Sequence, residues 1–210
     1  MSTVLLTGFE PFGGDAVNPS GDAVRRVGAS WHGPAELVVE VLPVTFAGAS
    51  ARLRELIAAH RPDVVIAVGL AGGSDRIRVE RIAVNLADAR IPDNAGAQPI
   101  DEESVPGAPL AREATLPVKT IAAAIRAVGI PAEVSHSAGT FVCNHVFFTA
   151  LDAVPAGVAA GFVHVPWADG QDPEDSSGLP LDDIVRALEI AIDTALTTET
   201  NTPLVGGALD

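Results

Sequence analysis

A single cysteine, Cys143, stands in the run Ser137-Ala-Gly-Thr-Phe-Val-Cys143-Asn-His145. The apolar stretch behind it, Val146 to Leu151, reads as a helix. A glycine-containing turn would then deliver a thiol to a helix start, where unpaired backbone N–H groups and the helix dipole favour thiolate over thiol. One cysteine can form neither an internal disulfide nor a thiolate metal cage. Taken by itself it leaves two readings open, a nucleophile and an inert buried thiol.

A thiol nucleophile needs an imidazole within reach and a third group that orients the ring and stabilises the imidazolium. Of the five histidines, His32 lies in a turn-like Trp-His-Gly-Pro stretch and His60 ends a helix at the wrong edge of the expected sheet. His145 follows the cysteine by two residues, which on a helix turns it about 200° away. His136, in an extended segment before the turn, stays in contention. His164 closes the apolar strand Gly161-Phe-Val-His-Val just before Pro166, in the rim of loops expected to hold Cys143. A purely structural histidine is the competing reading there. Glu80, enclosed by the apolar residues of Ile77-Arg-Val-Glu-Arg-Ile-Ala-Val84, is the best carboxylate, because an unpaired charge in such surroundings is costly. Local spacing supports a simple ion pair with Arg76, Arg78 or Arg81 at least as well. Asn144 is a further candidate orienter, disfavoured by its adjacency to Cys143.

The loop Thr7-Gly-Phe9-Glu-Pro-Phe12-Gly-Gly14 follows the first strand directly. It lacks the lysine and serine or threonine of a phosphate-binding P-loop. Its two phenylalanines could wall a flat, uncharged ligand or pack beneath the loop. Asn18-Pro19-Ser20 reads as a helix start, with Asn18 as cap or ligand donor.

The elements that must position these groups alternate between short apolar runs and segments of helical period. Thr3 to Leu6, Leu37 to Leu42, Asp63 to Val68, Ile77 to Ala83 and Gly157 to Val165 read as strands; Phe46 to His60 (capped by Thr45), Pro117 to Val128 and a segment opened by Pro180 read as helices. The pattern predicts one α/β domain over residues 1–196, an open twisted, mostly parallel sheet with helices on both faces. Sites in such sheets lie in the loops beyond the carboxyl ends of the strands. Residues 91–116 form a long excursion rich in Pro, Gly, Asp and Glu, and 197–210 a flexible tail.

With 13 Lys plus Arg against 27 Asp plus Glu, the net charge of −14 argues against nucleic-acid and anionic-membrane partners. The amino terminus reads as a first strand and not as a signal peptide, and no apolar run is long enough to span a membrane. A cytoplasmic location is expected, in a reducing compartment that keeps a lone thiol usable.

Four blocks together resemble pyroglutamyl-peptidase I, a family of cysteine peptidases that remove an N-terminal pyroglutamate (5-oxoproline) from peptides. They are Thr7–Gly14 with Asn18-Pro-Ser20; Val68–Gly73 leading to Val79–Asn85; Asp88-Ala-Arg-Ile-Pro-Asp-Asn94; and Ser137–His145. The resemblance runs from the first strand to about Pro166. It implies Cys143 as nucleophile, His164 as general base and then acid, and Glu80 as orienter. It further implies that Phe9 and Phe12 flank the lactam ring, and that Asn18 with backbone groups near Leu70 and Phe141 holds its polar edge. Arg90 with the Cys143 N–H would receive the oxyanion. An α/β/α sandwich, a homo-oligomer (often a tetramer) and chemistry without metal or organic cofactor are implied likewise. The chain departs from the family pattern at Leu70, where several relatives carry glutamine, and at Arg78, where a small hydroxyl residue is usual. The alternatives are another thiol or amide hydrolase on a similar sheet and a protein that binds a lactam or nucleoside without chemistry.

Overall fold

Strand β1 (Thr3–Phe9) forms the first half of a βα unit with helix α1 (Pro19–Ser30), followed by β2 (Glu36–Leu42), α2 (Phe46–His60) and β3 (Val64–Leu70). The chain continues through β4 (Ile77–Glu80), β5 (Ile82–Val84), β6 (Ala111–Glu113), α3 (Val118–Ala127), β7 (Ala132–Ser135), α4 (Val142–Ala153), β8 (Ala159–Val165) and α5 (Leu181–Thr197). The structure is a computed structural model, and it describes residues 1–172 and 178–198 together with 200, 201, 203 and 205.

The main sheet has the order β2-β1-β3-β8-β4-β7. The first four strands run parallel, while β4 lies antiparallel to β8 and parallel to β7. The expected α/β sandwich with a mostly parallel sheet is present. Alternation along the central strands explains its layers: Val64, Ile66 and Val68 join one core with Val24, Ile121 and Leu188 of α1, α3 and α5. Val65 and Ala67 face a second core containing Leu53 and Phe147 of α2 and α4. A strand buried on both faces must be apolar throughout, which is why β3 reads as a continuous hydrophobic run.

The local signals account for the helix starts. Thr45 Oγ1 accepts from Gly48 N at 3.2 Å, and Asn18 Oδ1 accepts from Ser20 N at 3.1 Å ahead of Pro19. Helix α1 then sits very close to the end of β1. A Cβ on Gly8 would fall 2.6 Å from Ser20 O, and one on Gly21 only 2.4 Å from Phe9 O. These two glycines bring the start of α1 against the Phe9 loop.

The structure corrects several boundaries. The expected strand Ile77 to Ala83 breaks at Arg81, whose N donates to Ser135 O at 2.7 Å while its carbonyl accepts from Ala114 N at 2.8 Å. The chain leaves the main sheet there, and β5 pairs with β6 in a separate two-stranded sheet. Helix α4 starts at Val142, ahead of the apolar run, so Cys143 lies inside its first turn. β8 begins at Ala159 because Gly157 turns the chain at φ +94°. Strands β6 and β7, three and four residues long, carry too little periodicity to read from sequence. The flexible tail expected over 197–210 falls largely outside the described residues, although Asn201 Oδ1 accepts from Lys119 N at 2.8 Å. Among the described residues no helix is long and apolar enough to cross a membrane.

Candidate active site

His164 is the penultimate residue of β8, and its ring faces the α2/α4 side together with Ala160 and Phe162. On the same face, β4 presents Arg78 opposite His164 and Glu80 opposite Phe162. Glu80 therefore reaches His164 on the diagonal, and Nδ1 of the ring lies 2.8 Å from Oε1. Both side chains are buried, Glu80 fully so. The arginines that competed for Glu80 in the sequence pair elsewhere: Arg76 with Asp75 and Glu133, Arg78 with Glu133, and Arg81 with Glu113.

Cys143 is half-buried and is among the groups that shift the His164 ring. With Nδ1 engaged by Glu80, Nε2 is the ring nitrogen left for the thiol. Burial alone would push the His164 imidazolium below its ordinary range, but the hydrogen bond to Cys143, the hydrogen bond to Glu80 and the charges of both outweigh it. The ring is raised from 6.5 to about 9. The Cys143 N–H belongs to the group at the start of α4 that precedes the first intrahelical bond, His145 N to Phe141 O at 3.1 Å.

Two neighbours fix the sulfur. Gly69 of β3, paired in register with His164, has no side chain where a Cβ would come within 2.8 Å of Cys143 Sγ and 2.7 Å of Phe162 Cζ. Asn144 is fully buried; its Oδ1 accepts from Val84 N at 3.0 Å, and its Nδ2 donates to Val84 O at 2.8 Å and Leu86 O at 3.0 Å. Asn144 thus clamps the segment that follows Glu80 onto the helix turn that carries Cys143. A glycine inside an apolar strand was a legible signal of close approach. The Asn144 clamp had no local signal.

Beside the sulfur lies a small recess lined by Phe9, Phe12, Asn18, Val44, Leu70, Phe141, Val142 and Cys143. The sequence-derived binding residues other than Arg90 meet there. Phe12 and Phe141 face each other with ring centroids 6.2 Å apart, and Phe46 packs edge-on against Phe141 at 5.4 Å. Asn18 acts as a cap as well as a lining residue, its Nδ2 donating to Glu10 O at 2.9 Å. Arg90 is exposed, on a loop tied to the segment before Cys143 by Asp88 N to Thr140 O (3.0 Å) and Thr140 Oγ1 to Asp88 O (2.7 Å).

A family model described as pyroglutamyl peptidase matches residues 2–198. The chain belongs to the pyroglutamyl peptidase family. It is 47% identical over 213 residues to the pyrrolidone-carboxylate peptidase of Clavibacter michiganensis subsp. michiganensis, covering all of both chains. It is 48% identical over 211 residues to that of Chromobacterium violaceum, again over both full lengths. The crystal structure of pyroglutamyl peptidase I from Bacillus amyloliquefaciens superposes with a TM-score of 0.93 at 45% identity, over 98% of this chain and all of that one. The pyrrolidone carboxyl peptidase of Thermococcus litoralis gives 0.91 at 40% identity, over 97% of this chain and 100% of that one.

The remaining histidines of this pyroglutamyl peptidase family member lie away from the thiol–imidazole pair. His32, His60 and His136 are exposed. His145 packs edge-on against Phe46 at 5.4 Å, and burial lowers it from 6.5 to about 4, against a weaker opposing hydrogen bond to the Phe46 backbone. A larger groove of about 580 Å³, lined by residues including Arg54, Ile57, Asp63 and Val158, sits at the opposite end of the strands and includes none of the sequence-derived site residues. Leu70 lines the recess, and Arg78 donates through Nη2 to Ser135 Oγ at 3.0 Å.

Proposed function

We propose that Cys143, as a thiolate held by the His164 imidazolium, is the nucleophile that removes N-terminal pyroglutamate from peptides. The reading is supported by the buried Glu80–His164 hydrogen bond and by Cys143, which shifts the same ring and lines a phenylalanine-walled recess, in a chain of this family. Sγ attacks the carbonyl carbon of the amide joining pyroglutamate to the next residue. The Cys143 N–H and Arg90 receive the resulting oxyanion. His164 passes its proton to the leaving nitrogen as the C–N bond breaks, then takes a proton from the water that cleaves the thioester and frees pyroglutamate. Glu80 keeps the ring oriented and supports its charge.

The lactam ring would lie against Phe9, Phe12 and Phe141, with Asn18 and nearby backbone groups at its polar edge. A prolyl amide has the ring but not the ring carbonyl, and would leave site groups unpaired. Turnover of pyroglutamyl, prolyl and glutamyl amides of one chromophoric amine tests the reading. The pyroglutamyl amide should exceed the other two in kcat/KM by roughly 10³-fold or more; equal turnover would overturn it.

A reducing cytoplasm suits a reaction that depends on one free thiol. The homo-oligomer belongs to the same proposal: Ile100 and Leu110, on the excursion, are 69% and 86% exposed and offer apolar surface to a second copy. Sedimentation at micromolar concentration would reveal it.

A further inference from the structure

The two aromatic walls of the recess stand on one short segment, Val44 to Phe46. Phe46 supports the Phe141 ring edge-on. The Phe12 wall is held by a set of hydrogen bonds that meets the recess only through the backbone of Val44. Glu10 Oε1 accepts from Val44 N at 3.1 Å and from Asn94 Nδ2 at 2.9 Å. Asn94 Nδ2 also donates to Pro11 O at 3.0 Å, and Asn94 N donates to Val44 O at 3.0 Å. Asn94 itself rides on a rigid turn. Asp93 Oδ1 accepts from Ala95 N and Ala97 N, at 2.9 and 2.8 Å, and its Oδ2 accepts from Phe46 N at 2.9 Å.

We propose that Asn94 and Glu10 are positioning residues for substrate recognition: their hydrogen bond latches the Phe12 loop to the start of α2 and so sets the width of the lactam recess. The proposal rests on the reading of the recess as the pyroglutamyl site. The latch joins residues 84 apart in sequence and acts on the ring-binding wall alone. None of its hydrogen bonds is made by Cys143, His164 or Glu80. Its loss therefore weakens ring binding and spares the chemical step, the signature of binding made equally in ground and transition state.

The donor–acceptor arrangement supplies a reversible test. Asn94→Ala removes the donor, and Asn94→Asp sets two acceptors against each other. Adding Glu10→Gln to Asn94→Asp restores a donor between the two side chains, on the other side. Each Asn94 single variant should raise KM for a pyroglutamyl amide about fivefold, the equivalent of one hydrogen bond, with kcat within twofold. The double variant should bring KM part of the way back, because the donation to Pro11 O stays lost. Hydrogen–deuterium exchange of segment 9–15 reads the latch without substrate: exchange should quicken in the single variants and slow again in the double one. Unchanged exchange, or a fall in kcat at constant KM, overturns the proposal. A wild-type protein that leaves the amide intact sinks the peptidase reading instead, and the exchange result still decides whether the latch exists.

Discussion

Glu80 contacts His164 from a strand that runs the opposite way. β8 brings the imidazole to its carboxyl end, whereas antiparallel β4 carries Glu80 two pairs deeper, opposite Phe162, and the two meet on the diagonal at 2.8 Å. This geometry buries the carboxylate completely and leaves Nε2 as the ring nitrogen that Glu80 does not engage. Glu80 Oε2 has no hydrogen-bond partner among the described residues, so the carboxylate's polar contacts are concentrated on the ring.

Replacing Glu80 by Gln keeps the shape and removes the charge that helps hold the imidazolium. The account predicts a fall in kcat of roughly 10²-fold, with KM little changed. The alkaline limb of the rate profile should also move to lower pH, because one cause of the raised His164 value is gone. Rate profiles from pH 5 to 10 for both proteins check this. An unshifted alkaline limb would separate Glu80 from the ring's ionisation.

The same shift predicts how stability follows pH. His164 binds its proton more tightly folded, at about 9, than unfolded, near 6.5. The stabilisation is complete below 6.5 and disappears as pH rises through 9. Urea midpoints should therefore decline between those values in the wild type, and His164→Asn should flatten the slope. A wild-type midpoint constant from 6.5 to 9 would contradict the assignment.

Gly69→Ala tests whether the sulfur's seat matters. The added Cβ would press on Cys143 Sγ and on the buried Phe162 ring, so one of them must move. Alkylation of Cys143 by iodoacetamide at neutral pH should slow at least severalfold, and kcat should fall with it. Wild-type alkylation in a folded variant would show that β3 does not position the thiol.

Much of this site was legible before any fold was known, because it depends on residue type and local setting. A lone cysteine at a helix start, a histidine ending an apolar strand and a carboxylate among apolar residues each carry a cost or a reactivity that sequence reveals. The strand order and the reversed direction of β4 had no such signal. Period-two alternation runs unbroken through Arg81, and only the hydrogen bond from Ala114, more than thirty residues on, turns the chain out of the sheet. In the sequence, adjacency to Cys143 disfavours Asn144 as a ring orienter. Its partners, Val84 and Leu86, lie about sixty residues away, so its clamp exists only after β5 has crossed the start of α4.

That clamp gives a further expectation. Asn144→Ala leaves the N–H of Val84 and the carbonyls of Val84 and Leu86 without their buried partner, a loss of about 3 kcal/mol. Urea unfolding should show it as a lower midpoint at unchanged slope. A variant as stable as wild type would mean that water replaces the amide freely and that the clamp holds nothing.

The central claim is that one sulfur atom carries the pyroglutamyl group between attack and release. Acid-quenched protein taken during turnover of a pyroglutamyl amide, digested and examined by mass spectrometry, addresses it directly. The account predicts a pyroglutamyl thioester on the peptide containing Cys143, with adduct and turnover both lost in Cys143→Ala. An adduct on another residue, or substantial turnover in that variant, would contradict it.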